Sequence, residues 1–227
     1  MAAPGASETV IVVTGGDPVD PAHLPALPPG AFVIAADSGT DRALALGLRV
    51  DLAIGDFDSV DPASLRQVAD AGATVERHPA AKDATDLELA LDAALRSEPT
   101  HVVVIGGHGG RLDHLLANAL LLAAPAYAGV SVVAQMGPAR VTVVRDHADL
   151  AGPVGDLVSL LALHGGATGV RTEGLLYPLD DEDLLPGATR GVSNELTTGV
   201  AAVRIRAGVL VAVQPGQLGT HHLMRTP

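Results

Sequence analysis

From residue 9 to residue 145, short runs of Val, Ile, Leu and Ala alternate with segments of helical spacing. That alternation constrains the fold more than any other feature. The apolar runs cover residues 9–14, 32–36, 52–54, 74–77, 101–105 and 130–134, and the helical patterns cover 41–46, 62–71, 85–96 and 111–123. Runs of this kind, without alternation, read as strands buried on both faces. Strand and helix taken in turn require crossover connections, and hence a parallel sheet.

After about Arg145 the helical spacing stops. Short runs at 157–163, 170–172, 175–177, 201–206 and 209–213 are separated by Gly, Pro and Asp turns, the pattern of a small antiparallel β domain, sandwich or barrel. The expected fold class is therefore α/β: an N-terminal parallel-sheet, Rossmann-like domain over residues 1–146, then a small antiparallel β domain over 147–227. The change falls within 146–155. A chain of 227 residues suits one main domain with a smaller partner.

Charge and composition remove several classes of function. A net charge of −12 argues against a duplex nucleic-acid binder, which carries a basic stripe. It leaves room for an anionic small substrate, because a bound divalent cation inverts the local field. With no cysteine there is no disulfide framework, thiolate metal site or cysteine nucleophile. The start of the chain lacks a basic n-region, and the uncharged stretch 115–134 is interrupted by Asn118, Pro125 and Gly129. It reads as a buried helix followed by a strand, so no membrane is expected and the location expected is cytoplasmic. The pair His221-His222 is expected to be an exposed tail without a metal role.

Arginine occurs thirteen times and lysine once, at Lys82; asparagine occurs twice, at Asn118 and Asn194. In so biased a composition, the survivors mark positions where a compact ammonium or an amide is not exchangeable, unless they survive by chance.

Four polar clusters follow strand ends, where open parallel sheets bind ligands. Asp37-Ser38-Gly39 is the first. In the second, Gly55-Asp56-Phe57-Asp58-Ser59, two carboxylates at i and i+2 can converge on a hard cation, or serve only as turn residues. The third is Lys82-Asp83-Ala84-Thr85-Asp86, where Thr85 and Glu88 fit a capping box. Capping leaves Lys82 unexplained, since a cation is disfavoured at the positive end of a helix; a ligand phosphate removes that objection. Asp86 is positioned to supply a third carboxylate. The fourth is Gly106-Gly107-His108-Gly109-Gly110-Arg111-Leu112-Asp113-His114, opening a helix on which Arg111, His114 and Asn118 share one face. It is neither a Walker A loop nor a GxGxxG fingerprint, and His114 reads as a structural hydrogen-bonder.

Together these clusters resemble the thiamine pyrophosphokinase family. Ser159-Leu160, Gly174-Leu175-Leu176-Tyr177-Pro178-Leu179 and Val192-Ser193-Asn194-Glu195 are similar to its second-domain signatures. The resemblance covers nearly the whole chain in order. It implies a nucleotide-binding catalytic domain and a thiamine-binding β-sandwich, with Mg2+-dependent transfer of pyrophosphate from ATP to the hydroxyl of thiamine, releasing AMP. By it, Asp56, Asp58 and Asp86 hold Mg2+, and Asp37 and Lys82 join them as catalytic groups. Thr85, Arg111, Asp113 and Asn118 line the nucleotide side, and Ser193 and Asn194 face thiamine. It also implies a homodimer with shared active sites. Ser38 stands where the family often has Gly, and the tryptophan that some members stack on thiamine is absent, which leaves Tyr177 or an apolar residue for stacking. Two alternatives stand beside this: the same chemistry on another acceptor such as a hydroxymethylpterin, and a non-catalytic ligand sensor.

Overall fold

In the computed structural model, which describes residues 8–216, the strands of the first half are β1 (Thr9–Val13), β2 (Phe32–Ala36), β3 (Leu52–Gly55), β4 (Thr74–Arg77), β5 (His101–Ile105) and β6 (Ser131–Met136). Helices α1 (Gly39–Ala45), α2 (Pro62–Asp70), α3 (Asp86–Leu95) and α4 (Leu112–Leu122) alternate with them. All six strands pair in parallel, in the order β4-β3-β2-β1-β5-β6. The order reverses between β1 and β5, the place where open parallel sheets bind ligands at their strand ends.

The β-branched residues of the central strands are what the sheet buries. Ile11, Val13, Val33, Ala35, Ala53 and Ile105 form one core with Ala43 of α1 and Val68 of α2. Burying each of the larger side chains contributes about 1.5–3 kcal/mol. Helix starts follow local chemistry: Asp61 Oδ1 accepts the Ala63 N–H at 2.8 Å, with Pro62 in the first turn of α2.

The chain divides into two units, Met1–Gly137 and Pro138–Pro227. The division precedes the boundary expected at 146/147 because 139–144 is a strand. The second unit comprises β7 (Ala139–Val144), β8 (His147–Ala151), β9 (Leu157–Glu173), β10 (Asp180–Leu184), β11 (Asn194–Glu195), β12 (Val200–Arg204) and β13 (Ala207–Gln214). Every pairing in it is antiparallel, and β9 pairs with β10, β11, β12 and β13. The runs at 157–163 and 170–172 are one strand, carried through its middle by His164, Gly165 and Gly166 at positive φ. The run 175–177 is not a strand; only Leu175 makes a bridge, to Leu196. One apolar core fills the unit, including Leu150, Leu160, Leu184, Leu196 and Leu210.

Among the described residues no helix is long and apolar enough to cross a membrane. The stretch 115–134 is the end of α4 followed by β6. His221 and His222 lie outside the described residues.

Candidate active site

The C-terminal ends of β1, β2, β3 and β5 and the start of α3 surround one cleft of about 690 Å³. Asp37, Asp56, Asp58, Lys82, Thr85, Asp86, Arg111 and Asn118 all line it. Asp113 does not; it lies beside Arg111 on the exposed first turn of α4.

Backbone geometry aims the acidic groups. Asp37 sits at φ 46° with its N–H on the Ile54 carbonyl at 2.9 Å. The next turn requires Gly39, because a Cβ there would come 2.1 Å from the carbonyl oxygen of Val13. After β3, Asp56 Oδ1 accepts the Asp58 N–H at 3.2 Å and the Ser59 hydroxyl donates to Asp58 at 2.7 Å. Phe57, between the two carboxylates at φ 62°, lies 5.0 Å under the Arg77 guanidinium. Thr85 caps α3 as expected, accepting the Glu88 N–H at 3.2 Å.

Oxygens of Asp37, Asp56 and Asp58 lie within 4.8 Å of one another. Sequence reasoning placed Asp86 with Asp56 and Asp58. The structure instead groups Asp37 with them, and Asp86, the first residue of α3, accepts from Lys82 Nζ in the loop before it at 2.5 Å. Lys82 also reaches Asp56 at 3.4 Å. Burial, and then the charges of Asp86, Asp56 and Asp58, push the Asp37 carboxyl above the ordinary carboxylate range. Its Oδ1 is buried with no hydrogen-bond partner among the described residues. The Asp58 backbone N–H, and to a lesser degree Lys82, hold Asp56 below that range. Burial opposes the Lys82 ammonium, but Asp86 and Asp56 outweigh it and raise its pKa. Three converging carboxylates, one with an orphan buried oxygen, fit a hard divalent cation, which takes oxygen ligands.

The opposite wall is glycine-rich backbone. Asn118, buried on α4 and expected to line the nucleotide side, donates to the Gly107 carbonyl at 3.0 Å and so holds that loop. Arg111 is exposed and forks onto Asp113 at 2.5 and 3.2 Å, which holds Asp113 at a pKa of about 2. The N-cap residue of α4, Arg111, makes no side-chain cap, and the His114 N–H in its first turn bears on the Asp113 carboxylate.

Sequence reasoning missed the loop after β1. Thr14, Gly15, Gly16 and Asp17 line the cleft, together with His108 and His114. Thr14 N donates to Ile105 O at 2.9 Å, Gly107 N to Gly15 O at 2.8 Å, and Asp17 N to His108 O at 2.8 Å. The two loops thus continue the β1–β5 pairing past the strand ends. The Gly15-Gly16 pair directly after an apolar run was the available signal.

In the second unit, Tyr177, Thr189, Arg190, Gly191, Val192 and Asn194 line a pocket of about 390 Å³. Asn194 is 2% exposed. Its Oδ1 accepts the N–H groups of Tyr177 at 2.9 Å and Glu195 at 3.0 Å, and its Nδ2 donates to the Tyr177 carbonyl at 2.8 Å. It is a clasp on the backbone of Tyr177, whose side chain stays 58% exposed. Ser193 is exposed at φ 56°, its N–H on Ser159 Oγ at 3.1 Å.

Comparison with known proteins agrees in both units. Residues 28–134 match the family model described as thiamin pyrophosphokinase, catalytic domain, and residues 141–210 match the vitamin B1 binding domain. The chain is 30% identical over 191 residues to the thiamine pyrophosphokinase of Bacillus subtilis, covering 80% of this chain and 86% of that one. The crystal structure of thiamine pyrophosphokinase from B. subtilis superposes with a TM-score of 0.79 at 26% identity, over 92% of this chain and all of the other. A thiamin pyrophosphokinase family protein from Enterococcus faecalis superposes at 0.74 and 28% identity, over 92% and 98% of the two chains.

Proposed function

The chain belongs to the thiamine pyrophosphokinase family, and from that premise we propose how its cleft moves a diphosphoryl group from ATP to thiamine. The observation that carries the proposal is the meeting of Asp37, Asp56 and Asp58 opposite a glycine loop and an uncapped helix start. In-line transfer of a phosphoryl group depends on positioning and charge neutralisation more than on covalent chemistry from the protein.

Asp37, Asp56 and Asp58 would hold Mg2+, with Asp86 bearing on it through Lys82. Bound there, the ion would offset the charge of the polyphosphate. Lys82 turns from its carboxylate partners to the phosphate oxygens, and Thr85 fixes the helix start beside them. Arg111 neutralises the far phosphates, with Asp113 steadying its fork, while Asn118 holds the loop whose backbone faces them. The thiamine hydroxyl oxygen bonds to the β-phosphorus, and the bond from that phosphorus to the α–β bridging oxygen breaks. AMP leaves with the electron pair, and the hydroxyl proton passes to solvent.

Ser193, Asn194 and Tyr177 make the thiamine side, within a β-sandwich thiamine-binding domain. The working form is a cytoplasmic homodimer in which each site joins the sheet unit of one chain to the β unit of the other. Exposed apolar side chains support association: Leu112 and Leu116, at i and i+4 on α4, are 68% and 57% exposed.

The test is AMP release by the purified protein from Mg-ATP, with thiamine, with a hydroxymethylpterin, and with no acceptor. AMP formed only with thiamine is the expected result. AMP formed with the pterin alone moves the acceptor, and none with either overturns the enzymatic reading.

A further inference from the structure

Phe57 stands between the two carboxylates that follow β3 and offers a cation no ligand of its own. Its backbone nevertheless lies in the left-handed region, at φ 62°. For a bulky side chain that conformation is an outlier, because Cβ crowds the following carbonyl; it persists only where the surroundings impose it. The site depends on it. The turn at Phe57 sets how the chain passes from Asp56 to Asp58, and so the bond by which Asp56 Oδ1 accepts the Asp58 N–H at 3.2 Å.

Two contacts hold the ring. It packs against the apolar core of the sheet unit, and the Arg77 guanidinium lies 5.0 Å from its centroid, within cation–π range. Arg77 ends β4, the edge strand, and lies opposite Gly55 in the parallel register. The His78 N–H on the Gly55 carbonyl, at 2.9 Å, ties the two strand ends together. Arg77 is exposed and does not line the cleft. Among the described residues its side chain makes no ion pair and no hydrogen bond. The neighbouring Glu76 is taken by Arg96, which leaves Arg77 to the ring.

We infer that Arg77 is a positioning residue for the metal site: its cation over Phe57 holds the strained turn in which Asp56 and Asp58 converge. The inference rests on the reading of Asp37, Asp56 and Asp58 as the cation ligands. Without the clamp a smaller fraction of molecules has the turn formed, and apparent affinity falls by that fraction. The sign separates a clamp from a simple field. A guanidinium near a cation site repels the ion, so loss of its charge alone would tighten binding, whereas loss of the clamp weakens it.

The experiment is Mn2+ binding to the full chain without nucleotide or acceptor, with the free ion measured by electron paramagnetic resonance. Mn2+ takes oxygen ligands in octahedral geometry, as Mg2+ does. Arg77→Met should bind it about three- to fivefold more weakly than the wild type. Arg77→Lys, which keeps a cation for the ring, should stay close to the wild type. Phe57→Gly removes the ring and the penalty together, since glycine adopts positive φ freely, so adding Arg77→Met to it should change nothing further. Arg77 is on the surface, so its variants keep the fold, which thermal melting checks. Three results would each overturn the inference and leave the metal reading standing: unchanged or tighter binding by Arg77→Met, Arg77→Lys as weak as Arg77→Met, or the full loss repeated on top of Phe57→Gly. A wild type that binds no Mn2+, or one whose affinity survives Asp56→Asn, overturns the metal reading and the inference with it.

Discussion

In the sheet unit the conspicuous polar side chains are left with capacity to spare. Asp37 has a buried oxygen with no partner among the described residues, and Lys82 holds two carboxylates that a cation and a phosphate could replace. In the β unit the conspicuous polar side chain is already spent: three hydrogen bonds commit Asn194 to the protein's own backbone. One region keeps charge unsatisfied for a ligand, whereas the other uses a satisfied amide to present Tyr177. An unpaired buried polar group costs about 1–3 kcal/mol, so the first arrangement persists only where binding compensates it.

The sharpest way to break this contrast is to remove charge from the first region. Asp56→Asn and Asp58→Asn should each abolish Mg-dependent turnover, with the folded state retained on thermal melting. A variant that kept most of its rate at low Mg2+ would contradict the ligand assignment.

Next in size is complementation between the two regions. Asp56→Asn and Asn194→Ala, each inactive alone, should regain about a quarter of wild-type AMP formation after subunit exchange, because half the dimers are mixed and each of those has one intact site of two. Continued inactivity, with exchange shown by mass spectrometry, would place both halves of each site in one chain.

Lys82→Arg should cost at least tenfold in kcat/KM, about 1.4 kcal/mol, although charge is kept, since a planar fork does not fit where an ammonium touches two carboxylates. Normal turnover would make the lone lysine an accident of composition.

The smallest effect lies in the sheet unit, at a residue that does not line the cleft. The Arg96 guanidinium, with help from His78, holds Glu76 below the ordinary glutamate value of 4.5. A depressed carboxyl contributes stability above its unfolded pKa and loses it as pH falls through the folded one. Glu76→Gln should therefore cost about 0.5 kcal/mol at pH 7, discounted for the exposure of the pair, and nothing once pH is well below 4.5. Denaturant titrations at the two pH values would show it; a constant difference would remove the electrostatic explanation.

What could be read in advance divides along similar lines. Asp56, Asp58 and Lys82 were legible because their chemistry resides in side chains that composition makes scarce or that turns place at strand ends. The grouping of Asp37 rather than Asp86 with the carboxylates was not, because spacing along the chain does not say which strand ends converge. Thr14–Asp17 was missed because it acts largely through backbone N–H and carbonyl groups, which every residue carries. β10 was illegible for a different reason. Its residues Asp180, Asp181, Glu182 and Asp183 have no apolar alternation; the charges of the first three are met by Arg171, Arg190 and Arg206 from elsewhere in the unit, and Asp183 accepts the Gly169 N–H. Only Leu184 at its end is buried.

The seventeen residues of β9 have a consequence for the order of events during synthesis. Every strand of the sheet unit has been made by Met136, so that unit can collapse while the ribosome is still elongating the chain. β9, by contrast, finds its longest partner in β13, at Ala207–Gln214. Until β13 emerges, much of β9 presents unpaired N–H and carbonyl groups along an edge, the surface on which nascent chains pair wrongly with one another. The slow and vulnerable interval for this protein is therefore the making of its second half.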